Sequence, residues 1–506
     1  MIAEFTAKII ANCCDTHEHQ FMFKTVIHPL VNLLHSGCIK AQEAALDAVA
    51  TLCRENKEIG SILIHSKPTQ ANSLSTIDTI VEFVKDKNPN TCLIAATCLT
   101  QFYRTDILQD TSSEITLVTL PALINLLQDT TEGIQEIAPL VLADLIKDSE
   151  EMQRAAFDAD AIPRLIELLV NNHFEEEQKD EPMTQWGVPG LNIVVKSKAK
   201  IKENTLIALA AATLLKEECR TLAINSKVLP HVISGLSSKY TNIRLAACQC
   251  AKSLSRSVSH LRTSLMDAGI ADPLVKLLSD EAPIVQAAAC GALCNLVLEF
   301  SPVKQAVIEA GAIERFVAFT QSSDKDLQLN GVWALRNLLC KADLDAKKKV
   351  MGVLSYNALI DLLHEPNIAI QEQALEIVRN LVHGQQEDID WVIEGIGKDD
   401  LLDVLENKLQ VVSSMGVDGV CDEDAHIVTL IPALYIVVNM SSNDDPPKAD
   451  LMSRSNIVNS VINHLEHNDP NVRVAAVWCI INWTWSNSDD VDEDEAFVVI
   501  NYVNWV

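Results

Sequence analysis

"GVWALRNLLC" (331–340) reads as the end of one buried helix, yet it carries Trp333 and Asn337 four residues apart. That spacing places both on one helical face. The same pair returns as Tyr435 and Asn439 in "LYIVVNMSS" (434–442) and as Trp478 and Asn482 in "VWCIINWTW" (477–485). Taken alone, the asparagines form a longer series: Asn295, Asn337, Asn380, Asn439 and Asn482, each followed by an apolar residue. The intervals are 42, 43, 59 and 43 residues. Towards the N-terminus the same slot is filled by Ser253, Thr213, Asp144, Gln101, Thr51 and Asn12, at steps of 42, 40, 69, 43, 50 and 39. A period near 42 residues is the signature of a stacked repeat array.

Each unit has the same plan. A small-residue turn such as "DAGIADPL" (267–274) leads into a short helix, "IHPLVNLLHS" (27–36) or "LPALINLLQD" (120–129). Prolines 29, 121, 163 and 273 sit near these helix starts, where a missing N–H is tolerated. A longer helix follows, as in "APIVQAAACGALCNLVLEF" (282–300), with apolar residues at three- and four-residue spacing. Two to three helices per unit fits armadillo or HEAT repeats, and the glycine turn favours armadillo. The expected fold is all-α: a right-handed armadillo-repeat superhelical solenoid of about ten to eleven repeats, with a concave inner surface.

The boundaries follow from the irregular steps. Residues 1–170 read as N-terminal repeats, and 171–203 as an acidic, then Pro/Gly-containing, then basic insertion. Residues 204–400 read as central repeats and 401–425 as an insertion between repeats. Residues 426–506 read as C-terminal repeats with a solvated acidic loop at 487–495. Residues 1–14 resemble only the last helix of a repeat, so the terminal repeats read as incomplete; either the chain is a piece of a longer protein or both ends dock on the last repeat.

Composition narrows the function classes. A hydrophobic content of 48% over 506 residues supports folded structure, and aromatics are only 5%. A net charge of −29 argues against nucleic acid as the main partner. No apolar run reaches the length of a membrane span. The fourteen cysteines include no CxxC pair, and most fall inside helical apolar patterns. They read as reduced packing residues of an intracellular protein.

No catalytic constellation is visible. "CCDTHEHQ" (13–20) brings Cys13, Cys14, His17 and His19 together, but adjacent cysteines diverge on a helix and no second ligand pair follows, so a polar turn at a helix end is expected. No phosphate-cradling glycine loop, GxSxG elbow or HExxH helix occurs. The expectation is a non-enzymatic protein with no cofactor, metal or small-molecule substrate, and with protein partners.

Several blocks sharpen this. "SLSRSVSHLRTS" (253–264), "CNLVLEFSPVKQAVIEAGAIE" (294–314), "LQLNGVWALRNL" (327–338) and "VRVAAVWCIINWTWSN" (472–487) resemble the armadillo repeat-containing protein 8 family. The resemblance implies a non-catalytic scaffold subunit of the CTLH ubiquitin ligase, the glucose-induced degradation complex of yeast. It implies proteasomal degradation as the process, and cytoplasm and nucleus as the location. It also implies that the concave surface near the C-terminal end holds the tail of a substrate receptor and joins it to the CTLH scaffold subunits.

The residues expected to line that groove are Asn295, Trp333, Asn337, Asn380, Tyr435, Asn439, Trp478, Asn482 and Trp485. An Asn carboxamide can bond a peptide backbone irrespective of its sequence, and Trp or Tyr makes apolar slots between rungs. Importin-α uses a Trp-x-x-x-Asn ladder in this way. The competing reading has each Asn capping or turning its helix end and each Trp packing between repeats. Asn295 and Asn380, with Gly291 and Glu376 four residues earlier, lack an aromatic slot. The runner-up function is an importin-α-like or catenin-like adaptor that reads basic peptides.

Overall fold

The computed structural model describes residues 2–485, apart from 15, 67, 70–73, 108–114, 173–188, 257–258, 299–302, 411–422 and 443–445. Among these residues every regular element is helical. The chain divides into two compact units, Met1–Leu277 and Leu278–Val506. The division falls inside the expected central block 204–400, in the turn between helices Ala271–Leu277 and Pro283–Leu296. In a stacked array each repeat touches only its neighbours, so blocks of repeats need not coincide with compact units.

The first unit is built on a series of long helices: α1 (Ile2–Cys13), α2 (Ile39–Leu52), α3 (Pro89–Arg104), α4 (Glu132–Ile146), α5 (Pro189–Ala212) and α6 (Thr241–Leu254). Each packs on the next. The second unit continues the pattern with α7 (Pro283–Leu296), α8 (Lys325–Leu339), α9 (Ile368–Leu381), α10 (Glu423–Met440) and α11 (Pro470–Thr484), again each on the next. Shorter helices cover their flanks; Leu229–Leu236 packs on α6 and Ala312–Thr320 on α8.

Local chemistry explains the helix starts. Asn88, Asp324, Asn367 and Asp469 are the N-caps of α3, α8, α9 and α11, and each side chain accepts one or two first-turn N–H groups. Each lies thirteen residues before a slot residue. Gly269 and Gly311 adopt positive φ at the turns into short helices. The long helices approach closely through small residues. A Cβ added at Gly331 would stand 2.8 Å from Phe316 O and from Phe319 Cβ, so α8 crosses its short neighbour at a distance that glycine permits.

Burial follows the apolar spacing. In α9 the buried residues are Ile370, Ala374, Leu375, Ile377, Val378 and Leu381, at helical intervals. A lysine is buried beside them: Lys347 is 1% exposed, and its Nζ donates to Asp388 Oδ1 at 2.7 Å and to His383 O at 2.6 Å.

The structure corrects the two insertions. Residues 189–203 belong to α5; Lys200 pairs with Glu203 at 2.8 Å, one turn away, while Ile201 is buried. Residues 401–409 lie in the helix Lys398–Leu409 and 423–425 begin α10. The middles of both segments, 173–188 and 411–422, and the acidic loop 487–495 lie outside the described residues. His17–Met22 is a short helix rather than a turn, capped by the Thr16 hydroxyl.

Candidate peptide-binding face

The last four carbonyls of an α-helix have no partner within it. In the second unit the slot asparagines reach these groups on the preceding helix. Asn337 Nδ2 donates to Cys294 O at 2.8 Å and Asn380 Nδ2 to Arg336 O at 3.0 Å. Asn439 Nδ2 donates to Arg379 O at 3.0 Å and Asn482 Nδ2 to Val438 O at 2.9 Å. Every acceptor is the residue just before the preceding slot asparagine. One register rule therefore governs four successive contacts, and each asparagine caps its neighbour's helix rather than its own.

This arrangement uses one N–H of each carboxamide. The second N–H and the Oδ1 acceptor are the two groups that pair with a peptide unit. Asn337 is 5% exposed, whereas Asn380, Asn439, Asn482 and Asn295 are half-buried. Four residues before each, Trp333 is 40% and Trp478 49% exposed, and Trp485 is exposed near the end of α11. None of these three rings is a core residue. The buried tryptophan of α11 is Trp483, at 5% exposure, whose Nε1 donates to Ser441 Oγ at 2.9 Å. Tyr435 is half-buried, with the Arg379 guanidinium 4.3 Å from its ring centroid.

Between the aromatic rungs the face is charged. Glu376 pairs with Arg379 at 3.0 Å and with Arg336 at 3.8 Å. Burial pushes the Glu372 carboxyl above its ordinary pKa; Gln373 and Arg336 pull it down and Glu376 adds to the rise. The sequence reading assigned no role to Arg336, Arg379 or Glu376. Their signal is a charged residue at positions where neighbouring repeats carry Cys294, Val438, Gly291 or an aromatic ring.

The slot residues of the first unit do something different. Gln101 Nε2 donates to Asp144 Oδ2 at 2.9 Å, and the Thr213 and Ser253 hydroxyls share a hydrogen bond of 2.7 Å. The Thr51 hydroxyl donates to Asp47 O in its own helix. Four residues before these slots stand Asp47, Thr97, Leu140, Leu209 and Gln249, none of them aromatic. Thr213 and Ser253 are buried.

The Armadillo/beta-catenin-like repeat model matches residues 259–298 and 300–340, and the HEAT repeat model matches residues 457–484. Among curated relatives, GID complex subunit 5 of Schizosaccharomyces pombe is 28% identical over 84% of this chain and 52% of its own length. Armadillo repeat-containing protein 8 of Danio rerio is 28% identical, and that of Mus musculus 27%, each over 97% of this chain and 70% of its own length. The chain thus spans about half of the first relative and 70% of the other two. A crystal structure of an engineered protein superposes with a TM-score of 0.64 over 91% of this chain and 99% of its own, at 19% identity, a likeness of fold alone. The chain is an all-α solenoid containing armadillo repeats. No helix among the described residues is long and apolar enough to cross a membrane.

Proposed function

We propose that this chain is a non-catalytic armadillo adaptor subunit of a CTLH-type (GID) ubiquitin ligase. It docks the tail of a substrate receptor along the Trp333–Trp478 face and links it to the ligase core for proteasomal degradation of the substrate. The relatives named as complex subunits support the assembly, and the armadillo repeats support a binding rather than a chemical role. The observation that carries the mechanism is the asparagine register. It holds four carboxamides in rigid positions on successive helices, between exposed rings. An extended tail laid across the helices would pair its backbone with the remaining amide groups of the half-buried Asn380, Asn439 and Asn482 and seat apolar side chains at Trp333 and Trp478.

The test is affinity purification of the full chain and of Trp333→Ala/Trp478→Ala from cells. Recovery of CTLH-domain and RING subunits with wild type, together with selective loss of the receptor from the variant, is the expected outcome. Recovery of importin-β instead would support the transport reading, and equal receptor recovery by both proteins would remove the aromatic rungs from the mechanism. Both rings are exposed, so the substitutions are expected to leave the fold intact.

A further inference from the structure

Two arginines interrupt the aromatic series in the middle of this face. Arg336 and Arg379 stand one position before successive ladder asparagines. Their backbones are held from the next helix, because Asn380 and Asn439 donate to their carbonyls. Their side chains lean onto that next helix as well, Arg336 towards Glu376 and Arg379 over Tyr435. The equivalent residues on the other rungs, Cys294, Val438 and Ile481, carry no charge. The basic pair stands on α8 and α9 and leans onto α9 and α10, between Trp333 on α8 and Trp478 on α11.

Depth decides what an incoming chain meets. The Glu376 side chain is 13% exposed, while Arg336 and Arg379 are 33% and 35% exposed. The carboxylate is the more buried group and holds both guanidinium groups, while about a third of each arginine side chain stays exposed. A guanidinium stacked on a tyrosine and braced by a carboxylate is preorganised for a second, external carboxylate. In a chain of net charge −29, two part-exposed guanidinium groups over the more buried Glu376 carboxylate, with Glu372 beside Arg336, are a selective feature of this face.

We infer that the tail taken by this face carries an acidic residue, seated on Arg336 and Arg379, between two apolar residues seated at Trp333 and Trp478. The inference rests on the tail-binding reading above and adds the chemistry of the tail. Packed helices stand about 8–10 Å apart. An extended chain advances about 3.3 Å per residue, so each helix step takes roughly three residues. From α8 to α11 is three steps, which places the apolar anchors roughly eight or nine residues apart with the acidic residue inside that span. A basic peptide of the importin type is repelled by the same two arginines.

The experiment is selection of a displayed random library of peptides about a dozen residues long, enough to span the anchors, on the full chain at physiological salt. Wild type should enrich Asp or Glu flanked on both sides by apolar residues. Replacing the acidic residue of a selected peptide by Lys should weaken binding roughly tenfold or more, the loss expected for a charge-assisted pair turned repulsive. Arg336→Gln/Arg379→Gln, with unchanged helical content and melting, should lose the acidic preference but keep the apolar one. Arg336→Glu/Arg379→Glu should shift selection towards Lys and Arg. Enrichment of apolar peptides without acidic residues, lost in Trp333→Ala/Trp478→Ala, would overturn this inference and leave the tail-binding reading standing. No enrichment with any variant would overturn both.

Discussion

The two compact units use the same slot in opposite ways. In Met1–Leu277 the slot side chains pair with each other or with their own helix: Gln101 with Asp144, Thr213 with Ser253, Thr51 with Asp47 O. In Leu278–Val506 four asparagines pair with backbone carbonyls of the preceding helix. The first-unit slots Gln101, Thr213 and Ser253 are buried, so whatever their side chains leave unbonded is shielded from an incoming chain. A carboxamide bonded to a carbonyl through one N–H keeps a donor and an acceptor. The aromatic residues four positions earlier occur only where the slots are asparagine. The capacity to take a peptide backbone and the apolar slots for its side chains therefore coincide in one unit.

The comparison can be tested by breaking each unit separately, with hydrogen exchange of the long helices reporting unit-specific stability. The largest effects are expected at buried groups of the second unit. Lys347→Met leaves the Asp388 carboxylate without its buried partner and should cost about 3–5 kcal/mol. Trp483→Ala removes a buried ring and its bond to Ser441, and should cost a similar ~3–5 kcal/mol. An exchange profile of α11 unchanged by that substitution would contradict its placement in the core.

Smaller effects sharpen the difference between the ladders. Asn380→Ala or Asn439→Ala uncaps the Arg336 or Arg379 carbonyl and should cost about 1–2 kcal/mol, read as faster exchange in α8 or α9 respectively. In the first unit Thr213→Val/Ser253→Ala removes both partners of a buried bond with little change of shape, and should fall within about 0.5 kcal/mol of wild type. Equal losses in the two experiments would show that the asparagine bonds have no special capping value. The smallest effect on stability, within about 0.5 kcal/mol, is expected for Trp333→Ala/Trp478→Ala, whose rings are exposed. The same pair should show the largest loss of receptor-tail binding in a titration.

Much of this architecture was readable in the residues. The 42-residue period, the long helices and the slot series follow from apolar residues at helical spacing, because a helix that buries one side must repeat its side chains every three to four positions. Trp478 and Trp483 are five residues apart, which is roughly 140° around a helix, so they had to occupy different sides. Which side meets the neighbour could not be read from α11, since that helix is apolar on both. The N-caps thirteen residues before the slots were a further readable signal that the period alone did not use. The basic half of the 171–203 stretch was misread for a physical reason. A helix with a lysine at every second position, as at 196, 198, 200 and 202, has no polar stripe at helical spacing and looks, in one dimension, like a loop.

By itself the sequence determined the class of fold, the repeat length and the residues that recur at the slot, because these depend on local periodicity and on the chemistry of each side chain. Tertiary structure decided what the slot does. The acceptors of Asn337, Asn380, Asn439 and Asn482 are backbone carbonyls, 43 to 60 residues away and identical in every residue type. No pattern of side chains announces them. They are found only when neighbouring helices are stacked in register, and the same stacking leans the Arg336 and Arg379 side chains onto Glu376 and Tyr435, on the helices that lie between those of Trp333 and Trp478.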